Sequence, residues 1–289
     1  MAISIDNVYV QTFERNLRHL AQQGDSRLRR FITEVSSNGE KHNFERLGTA
    51  AASAKTSART ATPTSDLAWS RRVALAGTYH AGETVEQEDI VQMLVDPNSN
   101  VSSALAMAMR RQVDDVIISA ATGSALNGDG STSAFTAGQT VGNGTGEITL
   151  DTAYEVQEKF MSNDVDPDEN IVMVIGPKQQ RKLLQYMQVT SGDYQNAKAL
   201  ATGVLPNYMG FDWVVSNRLL APAAGQLDCL AFTKKAIGLV VNRDITAKVA
   251  EDPTLSFAWR LYTFMTMGAV RVEDEHIVRV RLADTVTPL

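Results

Sequence analysis

The stretch NVSSALAMAMRRQVDDVII, Asn100–Ile118, is the most helical part of the chain. Pro97 suits the first position of a helix, and Gly123 can end it in a left-handed conformation. Apolar side chains recur at every fourth position of this stretch and one step beyond it: Val101, Leu105, Met109, Val113, Ile117 and Ala121. This spacing predicts one long helix whose apolar stripe faces a partner surface, so the helix would act as a structural spine.

The same stretch carries two pairs of opposite charges. Arg110 with Asp114, and Arg111 with Asp115, are spaced i, i+4. Such pairs are typical of a solvated helix face, where each contributes a few tenths of a kcal/mol at most.

Two extended segments precede the helix. In the run LAWSRRVALAGTYHAGETV the residues from Trp69 to Tyr79 alternate in character, which predicts one long strand. A turn at Asn38 and Gly39 starts the other segment. Between them lies GTAAASAKTSARTATPTSD, Gly48–Asp66, whose small and polar residues form a poor core but a soluble loop tip.

The remainder mixes helices and strands without regular alternation. Thr152 and Glu155 match a capping box that would open a helix, and IVMVIGPKQQRKLL, Ile171–Leu184, predicts a buried strand, a turn and a helix. The last third is rich in β-branched and aromatic residues and predicts mainly strands. These features predict an α+β fold, because βαβ repeats are missing from the pattern.

The first part of the chain predicts a charged arm. Residues Val10–Val35 are weakly amphipathic, and residues 1–72 carry more Lys and Arg than Asp and Glu although the whole chain has a net charge of −6. The sequence contains no leader pattern and no stretch of apolar residues long enough to span a membrane. We therefore expect a protein of a cytoplasm-like compartment without a membrane partner, and only weak, non-specific contact with nucleic acid.

Motifs of catalysis, metal binding and cofactor binding do not emerge from the pattern. Asp164, Asp166 and Asp168 imitate the start of a calcium loop, but the later ligand positions do not fit. Cys229 is the single cysteine and is expected to be buried in a strand. We predict no catalytic residue, no metal and no cofactor. The alternative from another class is a soluble enzyme with a dispersed site, of which Asp151, Glu155 and His276 are candidates.

Taken in order, these segments resemble the major capsid proteins of tailed bacteriophages, whose fold is named after phage HK97. The residues that carry the resemblance are RRVALAGTYHAGETVEQEDI, the helix NVSSALAMAMRRQVDDVII, IVMVIGPKQQRKLL, YMGFDWVVSNRL and FTKKAIGLVV, followed by the closing strands. The resemblance runs from about Asn38 to Leu282. It implies a subunit that assembles into an icosahedral head enclosing double-stranded DNA, in a virion built in the cytoplasm of a bacterial host.

The resemblance also implies a division of the chain. It assigns residues 1–37 to an N-terminal arm, 38–88 to an extended β-hairpin called the E-loop, and 89–170 to a P-domain containing the spine helix. Residues 171–245 would form an axial A-domain, and residues 246–289 the return strands of the P-domain.

An E-loop reaches over a neighbouring subunit, so we expect contacts between subunits at the loop tip and at the arm. The residues expected at the E-loop tip are Thr49, Lys55, Arg59 and Pro63. Those expected on the N-terminal arm are Arg27, Arg29, Arg30 and Phe31.

Further partners follow from the same resemblance. We expect a homo-oligomer of hexamers and pentamers, a portal and a separate scaffolding protein, since only about 35 residues precede the E-loop. Whether a decoration protein binds stays open. Some relatives crosslink a Lys to an Asn, and Lys41 and Lys55 lie in the corresponding region, but no Asn or Glu partner is identifiable. The alternative within the fold is the shell of a cellular nanocompartment.

Overall fold

The computed structural model describes residues 22–55, 57–59, 64, 66–86, 97–166, 168–190, 207, 209–255 and 257–285. The part of the predicted amphipathic arm upstream of Gln22 therefore lies outside the described residues.

The structure contains three α-helices and thirteen strands among its described residues. The helices are α1 (Pro97–Thr122), α2 (Leu150–Ser162) and α3 (Pro177–Thr190). The strands are β1 (Thr33–Ser36), β2 (Lys41–Leu47), β3 (Trp69–Leu75), β4 (Gly77–Val85), β5 (Ala125–Asn127), β6 (Thr132–Ser133), β7 (Thr140–Val141), β8 (Ile171–Ile175), β9 (Phe211–Val215), β10 (Gln226–Thr233), β11 (Ile237–Asp252), β12 (Ala258–Arg271) and β13 (Ile277–Ala283).

These strands form three sheets. The orders are β1-β11-β12-β4, β7-β13-β10-β8-β9 and β2-β3-β5-β6. Strands β10 and β13 are antiparallel, whereas β8 and β9 are parallel because α3 connects them. The mixture confirms the predicted α+β class.

The five-stranded sheet forms the main core. Strands β8 and β10 lie at its centre and are buried along most of their length, and α2 packs against β13 and β7. Helix α2 begins one turn earlier than predicted: Thr149 is its N-cap and forms a capping box with Thr152, with the Thr149 Oγ1 accepting from the Thr152 amide at 3.2 Å. The predicted Thr152–Glu155 box was therefore wrong, since the same spacing rule is satisfied three residues upstream.

Helix α1 is the predicted spine. It has 26 residues and is about 39 Å long. The second half of its apolar ladder is buried, from Met109 to Ala121. The amide of Gly123 donates to the Ser119 carbonyl, but Gly123 is not among the residues with positive φ. Glycine fits this end because a Cβ would approach the Ser119 oxygen at 2.6 Å, so the prediction of a left-handed end was wrong.

The aspartates of the two charged pairs predicted on α1 also have other surroundings than the predicted solvated helix face. Asp114 is fully buried and accepts hydrogen bonds from the Ser26 hydroxyl at 2.6 Å and from the amides of Arg27 and Leu28 at 3.1 and 3.2 Å. Asp115 binds Arg218 in a two-pronged ion pair. Distant segments thus compete successfully for both carboxylates, which spacing along one helix cannot reveal.

The long strand predicted from Trp69 to Tyr79 is broken at Ala76. Strand β3 ends at Leu75 and pairs with β2 and β5, whereas β4 begins at Gly77 and belongs to the sheet of β12. The Ala76 amide leaves the strand and donates to the Glu40 carbonyl at 2.9 Å. One alternating run of sequence therefore serves two sheets.

The chain divides into two compact units. The smaller contains residues 22–25, Thr78–Arg111 and Arg243–Met265. The larger contains Ser26–Gly77, Gln112–Asn242 and the residues from Thr266 onward, and it holds the five-stranded sheet and the hairpin of β2 and β3. Among the described helices, none is both long and apolar enough to cross a membrane.

Candidate functional site

Strands β2 and β3 form the hairpin that was predicted to reach another subunit. They pair antiparallel from Lys41 opposite Leu75 to Leu47 opposite Trp69. Beyond this last pair of the strands, the Gly48 amide still donates to the Ala68 carbonyl at 2.8 Å. Exposed side chains alternate with half-buried ones along β2, and the outer half of β3 is exposed on both faces. This hairpin therefore has little core of its own.

The loop beyond the hairpin is exposed wherever it is described. Thr49 and Lys55 are exposed, and so is Arg59, which has a positive φ of 66°. A long side chain in this left-handed conformation is uncommon, and it marks a tight turn. Pro63 lies outside the described residues. The three described loop-tip residues are thus exposed, and the role of the predicted loop-tip residues between subunits stays a prediction.

The base of the hairpin is held tightly. Phe44 packs against a small core of Ala74, Ala125, Val240 and Val270. A Cβ on Gly238 would overlap the Phe44 ring, and a Cβ on Gly268 would overlap the backbone carbonyl of Leu75. Both glycines allow the hairpin to approach strands β11 and β12 closely. The hairpin is therefore fixed at one end and open at the other.

A buried network of charges fixes the same base. Arg72 donates to Asp274 at 2.7 Å and to the side-chain oxygen of Asn127. Burial lowers the pKa of Arg72, and Asp274 opposes that effect. Arg271 is fully buried; it donates to Asp274, to the Gly123 carbonyl at 2.6 Å and to two successive carbonyls at the end of β6. Asp274 thus joins β3 to the end of α1 through two arginines.

The described part of the arm packs on its own chain. Leu28 and Ile32 are buried, and β1 pairs parallel with β11. Arg29 forms an ion pair with Glu34 at 2.7 Å.

The remaining arm residues predicted at subunit contacts also have partners within the chain. Arg27 donates to the Val215 carbonyl, and the Arg30 guanidinium lies 4.4 Å from the centre of the Phe31 ring. A role of these residues between subunits stays a prediction.

Comparison with known proteins shows to which family this chain belongs. The model of the family described as phage capsid protein matches residues 5–284. This chain belongs to the phage capsid protein family.

Solved structures agree with that membership at the level of the fold. The capsid of cyanophage P-SCSP1u is 17% identical, with a TM-score of 0.75 and coverage of 99% of this chain and 96% of that chain. The capsid of Ralstonia phage GP4 is 11% identical, with a TM-score of 0.77 and full coverage of both chains. A chain from Mycobacterium phage Che8 is 15% identical, with a TM-score of 0.74 and coverage of 96% and 98%. A search of curated proteins gave no match.

The resemblance seen in the sequence is thereby confirmed, and so is its fold of the HK97 type. The protein is a shell-forming capsid protein, and its place is the virion capsid. The role of its family is structural.

The residues of the alternative enzyme site have other environments. His276 accepts or donates through Nδ1 to the Thr233 hydroxyl at 2.8 Å, and its Nε2 lies 3.2 Å from Glu273. Asp151 and Glu155 lie on α2. Glu155 and Lys159 line a groove of about 420 Å³, and neither Asp151 nor His276 is among the residues that line it. The geometry gives no support to a shared catalytic centre of these three residues.

The calcium-like segment and the single cysteine, both singled out in the sequence, lie in a turn and in a buried strand, respectively. Within the described ranges no cluster of three His, Cys, Asp or Glu side chains could hold a metal ion. Asp164, at the start of the calcium-like segment, has a positive φ of 54° in the turn that follows α2. Cys229 is buried in β10 as predicted, and burial raises the pKa of its thiol to about 12.

Sequence reasoning missed two residues of the hairpin. Trp69 and Leu47 face each other on its outermost rung and are 72% and 54% exposed. These two large apolar residues flank the loop of small residues in the sequence. Their position next to a loop without large apolar side chains could have indicated an exposed apolar pair. Trp69 also lines a groove of about 720 Å³ together with Arg46, Asn127 and Asp129.

Proposed function

We propose that this capsid protein assembles as hexamers and pentamers into an icosahedral head that encloses double-stranded DNA. In this head the hairpin of β2 and β3, with the loop Gly48–Asp66, reaches over a neighbouring copy. The observation that carries the proposal is the hairpin itself, which is anchored at its base and exposed toward its loop.

The physical argument rests on what the hairpin lacks. A two-stranded hairpin is marginal in water unless a further layer covers it. The outer part of this one has no such layer among the described residues, and the loop offers only small and polar side chains with Lys55 and Arg59. Packing on a second copy would supply the missing layer.

The division of the chain follows the same scheme. Residues 38–88 serve as the E-loop and residues 171–245 as the A-domain at the capsomer centre. Residues 89–170, with α1, and residues 246–289 form the P-domain. Strands β8, β9 and β10 of the five-stranded sheet fall within 171–245, whereas β7 and β13 come from the residues assigned to the P-domain, so the A-domain and the P-domain share this sheet.

The arm, residues 1–37, provides a second contact between copies. Its described end is fixed to α1 by Asp114, so the preceding residues start from a defined point. Arg27, Arg29, Arg30 and Phe31 lie next to this anchor.

The function implies partners beyond the shell itself. We assign a separate scaffolding protein and a portal as assembly partners, with assembly in the cytoplasm of the bacterial host. Packaged DNA contacts the shell weakly and without sequence preference, because a chain of net charge −6 neutralises few phosphates. A decoration protein is not required by this proposal, and the shell itself carries out no catalysis.

The test replaces Gly48–Asp66 with a short Gly-Ser turn. Negative-stain microscopy and sedimentation velocity compare this variant with the full chain, in the presence of the phage's scaffolding protein. We expect capsomers or closed shells from the full chain, and a folded but unassembled shortened chain.

A matched control replaces the exposed residues Pro222–Ala224 between β9 and β10, which are also solvent-facing but connect two strands of the five-stranded sheet and do not belong to the hairpin. This control should assemble. If the full chain stays a compact monomer under all of these conditions, the proposed function is wrong. If the shortened chain still assembles normally, the hairpin loop has no part in the contact.

A further inference from the structure

The outermost rung of the hairpin carries the largest exposed apolar side chains near the loop. Leu47 and Trp69 are direct cross-strand partners. Two rungs further inward, Glu45 lies opposite Arg71, and the two side chains form an ion pair of 2.9 Å. Residues 49–55 of the loop contain nothing larger than Lys55 and no apolar residue larger than alanine. The apolar surface is therefore at the rung, not at the tip.

We propose that the Leu47–Trp69 rung is the centre of the hairpin's contact with a second copy of this chain, and that the polar loop tip forms the rim. This inference rests on the proposed shell function and names the residues on which the lapping contact depends. It shifts the expected contact from Thr49, Lys55, Arg59 and Pro63 to two residues that flank them.

The composition of the rung favours a protein partner. Tryptophan and arginine are the residues that most often dominate binding energy at protein interfaces, and charged neighbours commonly surround them. An exposed tryptophan offers on the order of 150 Å² of surface to a partner. Glu45 and Arg71 neutralise each other beside it, Arg46 lies 3.9 Å from the carboxylate of Glu275, and Asp129 adds a negative charge to the groove. Phosphates of DNA would find little net positive charge there.

A second copy is the partner that the chain itself supplies. Copies arranged in a ring need two different patches, because a heterologous contact joins unlike surfaces of successive subunits. The described chain has further exposed apolar side chains that are not part of the hairpin, including Tyr154 and Met161, which are seven residues apart on α2, and Leu255 and Phe257 between β11 and β12. The hairpin rung is thus one apolar patch of several. The rung is also continuous with the loop that we propose to reach the neighbour, since the Gly48 amide bonds to the Ala68 carbonyl directly beyond it.

The first arm of the test compares two variants of the same strand. Trp69→Ser removes the proposed centre, and Leu75→Ser removes an apolar side chain from the same face of β3, about 20 Å away and 48% exposed. We expect Trp69→Ser to raise the chain concentration needed for assembly on the order of tenfold or more. Leu75→Ser should leave it nearly unchanged. Both variants should keep the circular dichroism spectrum of the unassembled protein.

The second arm measures burial of Trp69 without removing it. Trp213→Phe and Trp259→Phe leave Trp69 as the single tryptophan of the chain. On assembly its emission should move to shorter wavelength and its quenching by acrylamide should fall several-fold. This readout does not depend on whether a variant of Trp69 folds.

The outcomes separate the two proposals. Shells in which Trp69 remains fully quenchable, or normal assembly of Trp69→Ser, overturn the rung as the contact centre and leave the shell function intact. An equal loss of assembly in Leu75→Ser and Trp69→Ser also overturns it, because the loss would then not be specific to the outermost rung. Failure of the unmodified chain to assemble, with scaffolding protein supplied, overturns the shell function on which the inference rests.

Discussion

The five-stranded sheet and the hairpin of β2 and β3 differ in how far their strands are buried within the chain. Strand β10 is buried along nearly its whole length, between β8 and β13. The outer part of β3 is exposed on both faces and ends in a loop of small residues. The sheet completes its core within one chain, whereas the hairpin is complete only at its base. Under the assembly that we propose, the sheet stabilises the subunit and the hairpin joins subunits.

The sharpest test of the comparison substitutes one apolar residue in each region. Phe232→Ala in β10 removes a fully buried ring, and it should lower the free energy of unfolding by about 3–5 kcal/mol. Leu47→Ala in the hairpin should lower it by less than about 0.5 kcal/mol, because Leu47 is already exposed. Chemical denaturation of the unassembled chain measures both. Similar losses would mean that the hairpin has a core of its own.

Two neighbouring aspartates sharpen the comparison at the arm. Asp114→Ala leaves the Ser26 hydroxyl and the amides of Arg27 and Leu28 without their acceptor, at a cost of about 2–3 kcal/mol. Asp115→Ala breaks a partly exposed ion pair with Arg218 and should cost about 1 kcal/mol or less. Thermal unfolding of both variants checks the order. Equal costs would contradict the role of Asp114 as the anchor of the arm.

The close approach at the hairpin base can be broken by a single methyl group. Gly268→Ala places a Cβ into the carbonyl of Leu75, and relieving this overlap should cost about 1–3 kcal/mol. Gly146→Ala is the control, since its Cβ would meet nothing within 4 Å. Proteolysis at residues 48–66 is the second readout, and it should be faster in Gly268→Ala than in Gly146→Ala. Unchanged proteolysis would indicate that the base tolerates the shift.

The last expected effect is negligible at neutral pH and concerns the single thiol of the main core, Cys229. The raised pKa of Cys229 means that the folded chain holds its proton at a pH where the unfolded chain has released it. The stability of the fold should therefore fall between pH 9 and pH 12, by at most about 1.4 kcal/mol per pH unit from this group. The decline should be less steep in Cys229→Ala. Parallel slopes in the two proteins would contradict the assignment.

The sequence predicted local elements well and long-range choices poorly. Alternation placed β3, and four-residue spacing placed α1, because both periods follow from local backbone geometry. The break at Ala76 was missed, since it depends on a bond to Glu40 and on which sheet each half joins. The environment of Asp114 was also missed, because its partners lie more than 80 residues away. For the proposed contact surface, the small residues of 48–66 marked the loop at the end of the hairpin, but only the register revealed that Trp69 faces Leu47 at the edge of this loop.

The most direct test of the account is cryo-electron microscopy of the assembled shell at a resolution that separates side chains. We expect the outer rung of the hairpin, with Trp69 and Leu47, to lie against a neighbouring copy, and the base at Phe44 and Asp274 to keep the contacts within the chain described above. A shell in which this hairpin folds back onto its own chain, or in which its outer half remains in solvent on every copy, would contradict the account.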